Sequence, residues 1–373
     1  MNQIFLIPGF FGFTNLGDLH YFGHVERVLT RMLREQGQQA GIHVVPTRPT
    51  AGLPERAHAL YRCIAEHSDA GDAVHLIGHS TGGLDARLLV SPSLTLPDGS
   101  DASAMAQRVR SILCLTTPHH GTPSAAFLTG VQGKPLLKLL SLSTLLTLRQ
   151  GRLPLQVVLR LGEVMFRLRE RTTGSKELVE ELYASLLGRL DPERRASLEA
   201  FLIEVSQDQT LLTQLSPDAM ALFNATTPEP EGVAIGSIVA RARRPKLRDL
   251  AKSIPRPYRA ASQAVFRSVY TLASRGGPRD LRPQAAKDLI HAWGELPTAK
   301  DNDGIVPTQS QLWGQTVRAV HADHLDVLGH FSQPKAEPPH YDWLISGSDF
   351  DQDRFQALWA DAMSFLRPQL QAP

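Results

Sequence analysis

The sequence predicts an α/β fold with a mostly parallel sheet flanked by helices, and two observations carry this. Short apolar runs alternate with longer helical patterns through the first 120 residues. One of those runs passes directly into a glycine-rich turn that opens a helix. Strands separated by helices cannot pair as hairpins; they pair in parallel through crossovers.

The first run, Ile4–Ile7, reads as a buried strand, and Val25–Arg34 as a helix with Val25, Val28, Leu29 and Met32 on one face. His43–Val45 and Pro54–Glu66 repeat the pair. Ala73–Gly78 is a third strand, Gly83–Val90 starts a third helix, and Val109–Thr116 is a fourth strand. The pattern then changes. From about 124 to 222 there is helical periodicity without a strand, with leucine at 136, 137, 139, 140, 145, 146 and 148. Such leucines serve either as packing between helices or as a cap offering apolar surface to a hydrophobic substrate. Gly232–Arg241 returns to strand character, Val317–Val320 is the last strand and Phe355–Leu366 a closing helix. The chain therefore divides into a first core half (1–123), a helical insertion (124–222), a core strand (223–242), a basic insertion (243–292) and a second core half (293–373) expected to carry an acid and a histidine.

Composition agrees with a globular enzyme-sized chain: 373 residues, 42% hydrophobic, 20% charged, with no repeat. The net charge of +2 gives no reason for a nucleic-acid partner. It conceals a local excess, since Arg241 to Arg282 holds twelve Lys/Arg against Asp249 and Asp280, leaving the remainder at about −8. Tyr258, Phe266, Val269 and Tyr270 interleave with Arg259 and Arg267 there. That pattern suits either a solvated face covering the core or a helix lying on an anionic lipid surface. Cys63 and Cys114 sit in apolar patterns and read as buried thiols. No run approaches the roughly 18 apolar residues a membrane span requires. The first basic residue is Arg27, so no signal peptide is visible; a cytoplasmic chain is expected, or a secreted one whose leader has been removed.

Strand Ala73–Gly78 runs into Gly78-His79-Ser80-Thr81-Gly82-Gly83, a G-x-S-x-G sequence in the strand–turn–helix setting that gives it meaning. The serine of such a turn is strained and its hydroxyl stands clear of the sheet, so Ser80 is the expected nucleophile. His79 is expected to point elsewhere. The helix start beneath the serine offers N–H groups to an oxyanion, Thr81 first. The second donor is assigned to Phe10, in Pro8-Gly9-Phe10-Phe11-Gly12 after the first strand.

A serine hydroxyl needs a histidine base oriented by a carboxylate, in the chain order Ser, Asp/Glu, His. The turn Asp301-Asn302-Asp303-Gly304 offers Asp301 and Asp303 as acids. Of His321, His324 and His330, the base is expected at His324, just beyond the last strand, with a helix and a return strand between acid and base. Adjacent His119 and His120 point apart and are not read as a zinc site.

These residues resemble the bacterial true lipases and esterases of the α/β-hydrolase fold. PGFFG is similar to that family's oxyanion loop, GHSTGG to its serine elbow, and Thr116-Thr117-Pro118-His119-His120-Gly121 to its TPH-G segment. Leu222-Phe223-Asn224-Ala225, NDGIV at 302–306 and DHLD at 323–326 match further landmarks, so the resemblance spans both core halves and leaves 124–222 and 243–292 variable. It implies Ser80 as nucleophile, Asp303 as acid, His324 as base, Phe10 and Thr81 as oxyanion donors, and the 124–222 insertion as a lid. It implies an acyl-ester substrate with transient lipid-surface contact through the lid or the basic segment, and no cofactor for the chemistry. One lid-bearing branch holds a structural calcium, with a carboxylate ligand where Asp326 stands; the next ligand position is His330, a departure from an oxygen donor. Pro8, where many members have histidine, is another departure. Polyester, phospholipid and thioester hydrolysis share the same triad, and a lipid-binding protein on a hydrolase scaffold is the reading from another class.

Overall fold

The computed structural model describes residues 1–10, 21–130, 133–151, 153–170, 175–188, 192, 195–196, 198–199, 203, 207–245, 256–277 and 279–371. Its centre is a parallel sheet made by β1 (Asn2–Ile7), β2 (Ala40–Val44), β3 (Ala73–His79), β4 (Val109–Leu115), β5 (Ala234–Ala240) and β6 (Gln315–Val320), in the order β2-β1-β3-β4-β5-β6. Ile4 pairs with Ile42 and His75, Leu76 with Ile112, Leu113 with Gly236, and Ile238 with Arg318.

Alternation along each strand feeds two apolar cores. Ile4, Leu6, Ile77, Leu113 and Leu115 face one; Phe5, Ile7, Val74, Leu76, Ile112 and Cys114 face the other. That is why the inner strands are continuous apolar runs rather than half-polar ones. The edge strand β2 is only half-buried throughout, which explains why its expected place at His43–Val45 starts three residues late.

On the second face lie α2 (Leu53–His67) and α3 (Gly82–Leu89); on the first lies α1 (Gly23–Glu35), burying Val25, Val28, Leu29 and Leu33. The helix α4 (Ser103–Ala106) precedes β4. Cys63 and Cys114 are buried free thiols.

Between β4 and β5 come α5 (Pro123–Leu128), α6 (Gly133–Gln150), α7 (Leu155–Glu170), α8 (Ser175–Leu187), α9 (Thr210–Gln214) and α10 (Pro217–Thr226). Leu136, Leu137, Leu139, Leu140 and Leu146 are buried in the same cluster as the first sheet face, whereas the side chains of Leu145 and Leu148 lie outside the described residues. The packing role of the leucines is therefore the one observed.

After β5 come α11 (Pro257–Ala273) and α12 (Pro283–Trp293), and α13 (Gln352–Leu370) closes the chain, with Phe355, Leu358, Trp359 and Leu366 buried. The α11 helix packs on α7 and buries Phe266, Val269 and Tyr270. Those residues are core, so the apolar face needed for lying on a lipid surface is already used. The basic excess also has an internal counterpart: Arg241 pairs with Glu295 and Asp301, Arg243 with Asp349, Arg244 with Asp301, and Arg282 with Glu229. No helix among the described residues is long and apolar enough to cross a membrane.

Candidate active site

Ser80 and Thr81 follow β3, Phe10 follows β1 and His324 follows β6, each past the carboxyl end of its strand. Asp303 lies on the turn before Thr308–Gln311, where the Asn302 carbonyl accepts from Ala242 N–H just beyond β5. In an open parallel sheet the carboxyl ends of the strands are where βα loops converge. Ser80 follows β3 with φ +54°, in the left-handed region that β-carbon-bearing residues avoid. The strain is held by close packing. A β-carbon on Gly78 would run into Gly82 and Gly83, and one on Gly82 into the Ile7 carbonyl. Glycine is required at both places, as the spacing implied. Ser80 N–H bonds the Leu115 carbonyl at 2.9 Å, tying the elbow to the neighbouring strand end. The helical bonds of α3 begin with Gly83 N–H to Ser80 carbonyl, so the Thr81 N–H precedes them and has no partner within the helix.

Pro8, Gly9 and Phe10 continue β1 beside this elbow. A β-carbon on Gly9 would come within 2.5 Å of Ser80 Cβ and 3.1 Å of Ser80 Oγ. The loop is anchored from below: Arg56, fully buried, donates from Nη2 to the Pro8 carbonyl at 2.6 Å and forks onto Asp85 through Nε and Nη2. Arg56 thus anchors this loop through the Pro8 backbone. Phe11 and Gly12 of the expected oxyanion loop lie outside the described residues.

Asp303 and His324 are brought together. His324 Nδ1 donates to Asp303 Oδ2 at 2.7 Å, with the two side chains 0–1% exposed. Gln311 Nε2 also donates to Oδ2 (3.1 Å), while Oδ1 accepts from the N–H groups of Ile305 (2.9 Å) and Val306 (2.7 Å). The bond from Nδ1 places a ring proton on that nitrogen and leaves Nε2 as the one that can accept. The competing residues have other work. Asp301 is taken by Arg241, Arg244 and Thr298, and His321 Nδ1 meets the Arg241 carbonyl. The expected helix between acid and base is a single 3₁₀ turn, Thr308–Gln311, which supplies Gln311 to the carboxylate.

Sequence reasoning missed the role of His79. Far from pointing away, its ring lies 4.7 Å from that of His324, and its Nε2 donates to the His324 carbonyl at 2.9 Å. Burial and the neighbouring histidines hold its pKa well below the usual imidazole value, so it is neutral and Nδ1 must accept. The donor is the Tyr21 hydroxyl, at 2.6 Å, which in turn receives the Gly9 N–H. The Ser80 turn, His324 and the loop after β1 are therefore joined through Gly9, Tyr21 and His79. No sequence signal marks Tyr21; the G-H-S triplet marked His79, but its direction is a tertiary fact.

The residues around Asp326 do not fit a calcium ion. Its Oδ2 already accepts from Asp323 N–H (2.8 Å) and Ser348 hydroxyl (2.7 Å), and burial pushes its carboxyl up to about 6. Asp323, buried against it, is raised well above the usual carboxylate range by burial and by the Asp326 charge. His330 donates to the Tyr21 carbonyl at 3.2 Å instead of offering an oxygen. Among the described residues no group of three or more His, Cys, Asp or Glu is placed to hold a metal.

No protein-family model and no curated protein matches the sequence. Solved structures do match. EstA from Clostridium botulinum is 17% identical with a TM-score of 0.56, over 98% of this chain and 87% of its own. The Staphylococcus hyicus lipase is 15% identical with a TM-score of 0.52, over 99% and 96%. The metagenomic carboxyl esterase MGS0156 is 16% identical with a TM-score of 0.51, over 98% and 76%. With the six-stranded parallel sheet and its flanking helices, this likeness shows that the chain has the α/β-hydrolase fold of bacterial lipases and esterases.

Proposed function

We propose that the chain is a serine carboxylester hydrolase that cleaves acyl esters through an acyl-enzyme. His324 Nε2 takes the proton of Ser80, whose Oγ attacks the ester carbonyl; Asp303 holds the imidazole in the required tautomer and stabilises it when charged. The N–H groups of Phe10 and Thr81 receive the oxyanion, each contributing about 10²–10³ in rate. The alcohol leaves with the proton from His324, and water activated by the same nitrogen releases the acid. The observation that carries the reading is the buried 2.7 Å bond from His324 Nδ1 to Asp303, with the His324 ring 4.7 Å from that of His79, the residue preceding the strained Ser80.

The substrate proposed is an acyl ester of some chain length, met at a lipid surface through the helical insertion acting as a lid. What supports this is α7, whose Leu159 and Phe166 lie seven residues apart, hence on one face, and are 52% and 62% exposed. Hydrolysis of p-nitrophenyl esters from acetate to palmitate, with Ser80→Ala as control, tests the reading. Turnover rising toward long chains and absent in Ser80→Ala is expected. Activity on short esters alone would make the protein an esterase without a working lid. Turnover unaffected by the substitution, or no fluorophosphonate adduct on Ser80, would remove the serine from the mechanism.

A further inference from the structure

Arg87 of α3 is 3% exposed. Its guanidinium is clamped between the rings of Phe223 and Trp313, 5.0 and 4.4 Å from their centroids. Nη1 bonds His119 Nδ1 and Nη2 donates to the Thr227 carbonyl, both at 3.2 Å, while the buried Nε–H has no partner. Because His119 accepts at Nδ1, its proton is on Nε2, and that buried donor is also unpaired. Burial lowers Arg87 only to about 10, so it is charged at neutral pH. The acid whose charge reaches it, Glu229, is itself engaged by Arg282 at 2.6 Å. His119 does not line the adjoining cavity, so the group left wanting there is Arg87, a buried cation with a leftover donor that lacks an acceptor carrying negative charge.

Arg87 lines a cavity of about 940 Å³. Arg279 is on the same wall, donating to the His120 carbonyl at 3.3 Å and forming no ion pair among the described residues; the exposed Asp280 is its chain neighbour. Asp301, also lining it, is taken by Arg241 and Arg244. The rest of the lining is mixed: Pro123, Leu281 and Leu312 give an apolar strip, while Glu229, paired with Arg282, and Asp280 are carboxylates on the same wall. Neither Ser80, Asp303 nor His324 lines this cavity.

We propose that this cavity is a second binding site, for an organic monocarboxylate with an apolar body, its head on Arg87 and Arg279 and its body along Pro123, Leu281 and Leu312. Charge-assisted bonds from a guanidinium to a two-oxygen head match this chemistry, and the strip of Pro123, Leu281 and Leu312 suits the apolar body. The site is independent of the ester-hydrolase reading.

Calorimetric titration of the full chain with hexanoate tests it, alongside hexanol and inorganic phosphate. Expected are one-to-one binding of hexanoate, none of hexanol, and the same binding after Ser80 is blocked by a fluorophosphonate. The exposed-side variant Arg279→Ala should weaken it about tenfold, and Arg87→Lys should abolish it. If Arg87→Lys fails to fold, Arg279→Ala decides alone. Absence of saturable binding, unchanged affinity in Arg279→Ala, loss on blocking Ser80, or phosphate binding as tightly as hexanoate would each overturn the proposal.

Discussion

Asp303 accepts four hydrogen bonds, from His324, Gln311, Ile305 and Val306. Replacing it by asparagine keeps the size but offers an N–H where His324 donates, which turns the ring or its tautomer. Asp303→Asn should therefore lower kcat by about 10⁴ with little change in KM, measured on a soluble ester. Tyr21 and His79 act one step further out. Tyr21→Phe leaves His79 Nδ1 without its donor, a loss of about 1–3 kcal/mol that would appear as roughly tenfold or more in kcat if it loosens the base. His79→Gln can still donate to the His324 carbonyl and His79→Leu cannot. Recovery of kcat in the glutamine variant relative to leucine would identify positioning of the base; equal losses would reduce His79 to packing. The sequence made Ser80 and His324 legible because glycine spacing and the end of a strand are local facts. It could not choose between Asp301 and Asp303 from the turn alone, nor reveal Arg56 beneath Pro8, since both depend on side chains from distant segments.

At the scale of elements, α/β alternation was readable wherever a strand is buried on both sides, as β1, β3 and β4 are. The half-buried β2 slipped, and α12 was absorbed into the basic stretch although Pro283 at its start and the left-handed Gly294 at its end mark it. The helix itself holds no arginine and only Lys287; it was grouped with the arginine-rich run that ends just before it, at Arg282. Exposure on α7 leads to the second expectation. Leu159→Ser and Phe166→Ser remove apolar surface from the outside of the insertion without opening a cavity, so stability should move by no more than about 0.5 kcal/mol. Activity on emulsified long-chain esters should fall severalfold while hydrolysis of soluble short esters is unchanged. Equal effects on both substrates would mean that α7 does not meet a lipid surface.

Across the whole molecule, folding buries many histidines in neutral form. His75, His120 and His330 are held at about 4 and His24 at about 3, mainly by burial; His79 and His119 lie well below their usual value for the same reason. Each has a folded pKa below its unfolded one, so the unfolded chain binds more protons between about pH 6.5 and 4, and stability rises with pH across that window. Asp85, Asp323 and Asp326, raised by burial, act in the opposite sense. His43, His321 and His340 are lowered as well, mainly by burial, so nine histidines against these three carboxylates leave the histidine sign in control. Stability contributed by the neutral rings is thus complete above pH 6.5 and lost as pH falls toward 4. Thermal melts between pH 7.5 and 4.5 should therefore show Tm dropping steadily below about 6.5. His75 offers the cleanest variant, since it bonds Ser111 and Asn2 near the amino ends of β3, β4 and β1, away from the serine elbow. His75→Gln keeps both polar contacts and removes one titration, so its Tm should fall less steeply with acid. A flat profile, or one unchanged by the substitution, would mean that the buried rings are protonated in the folded state and that the acid sensitivity lies elsewhere.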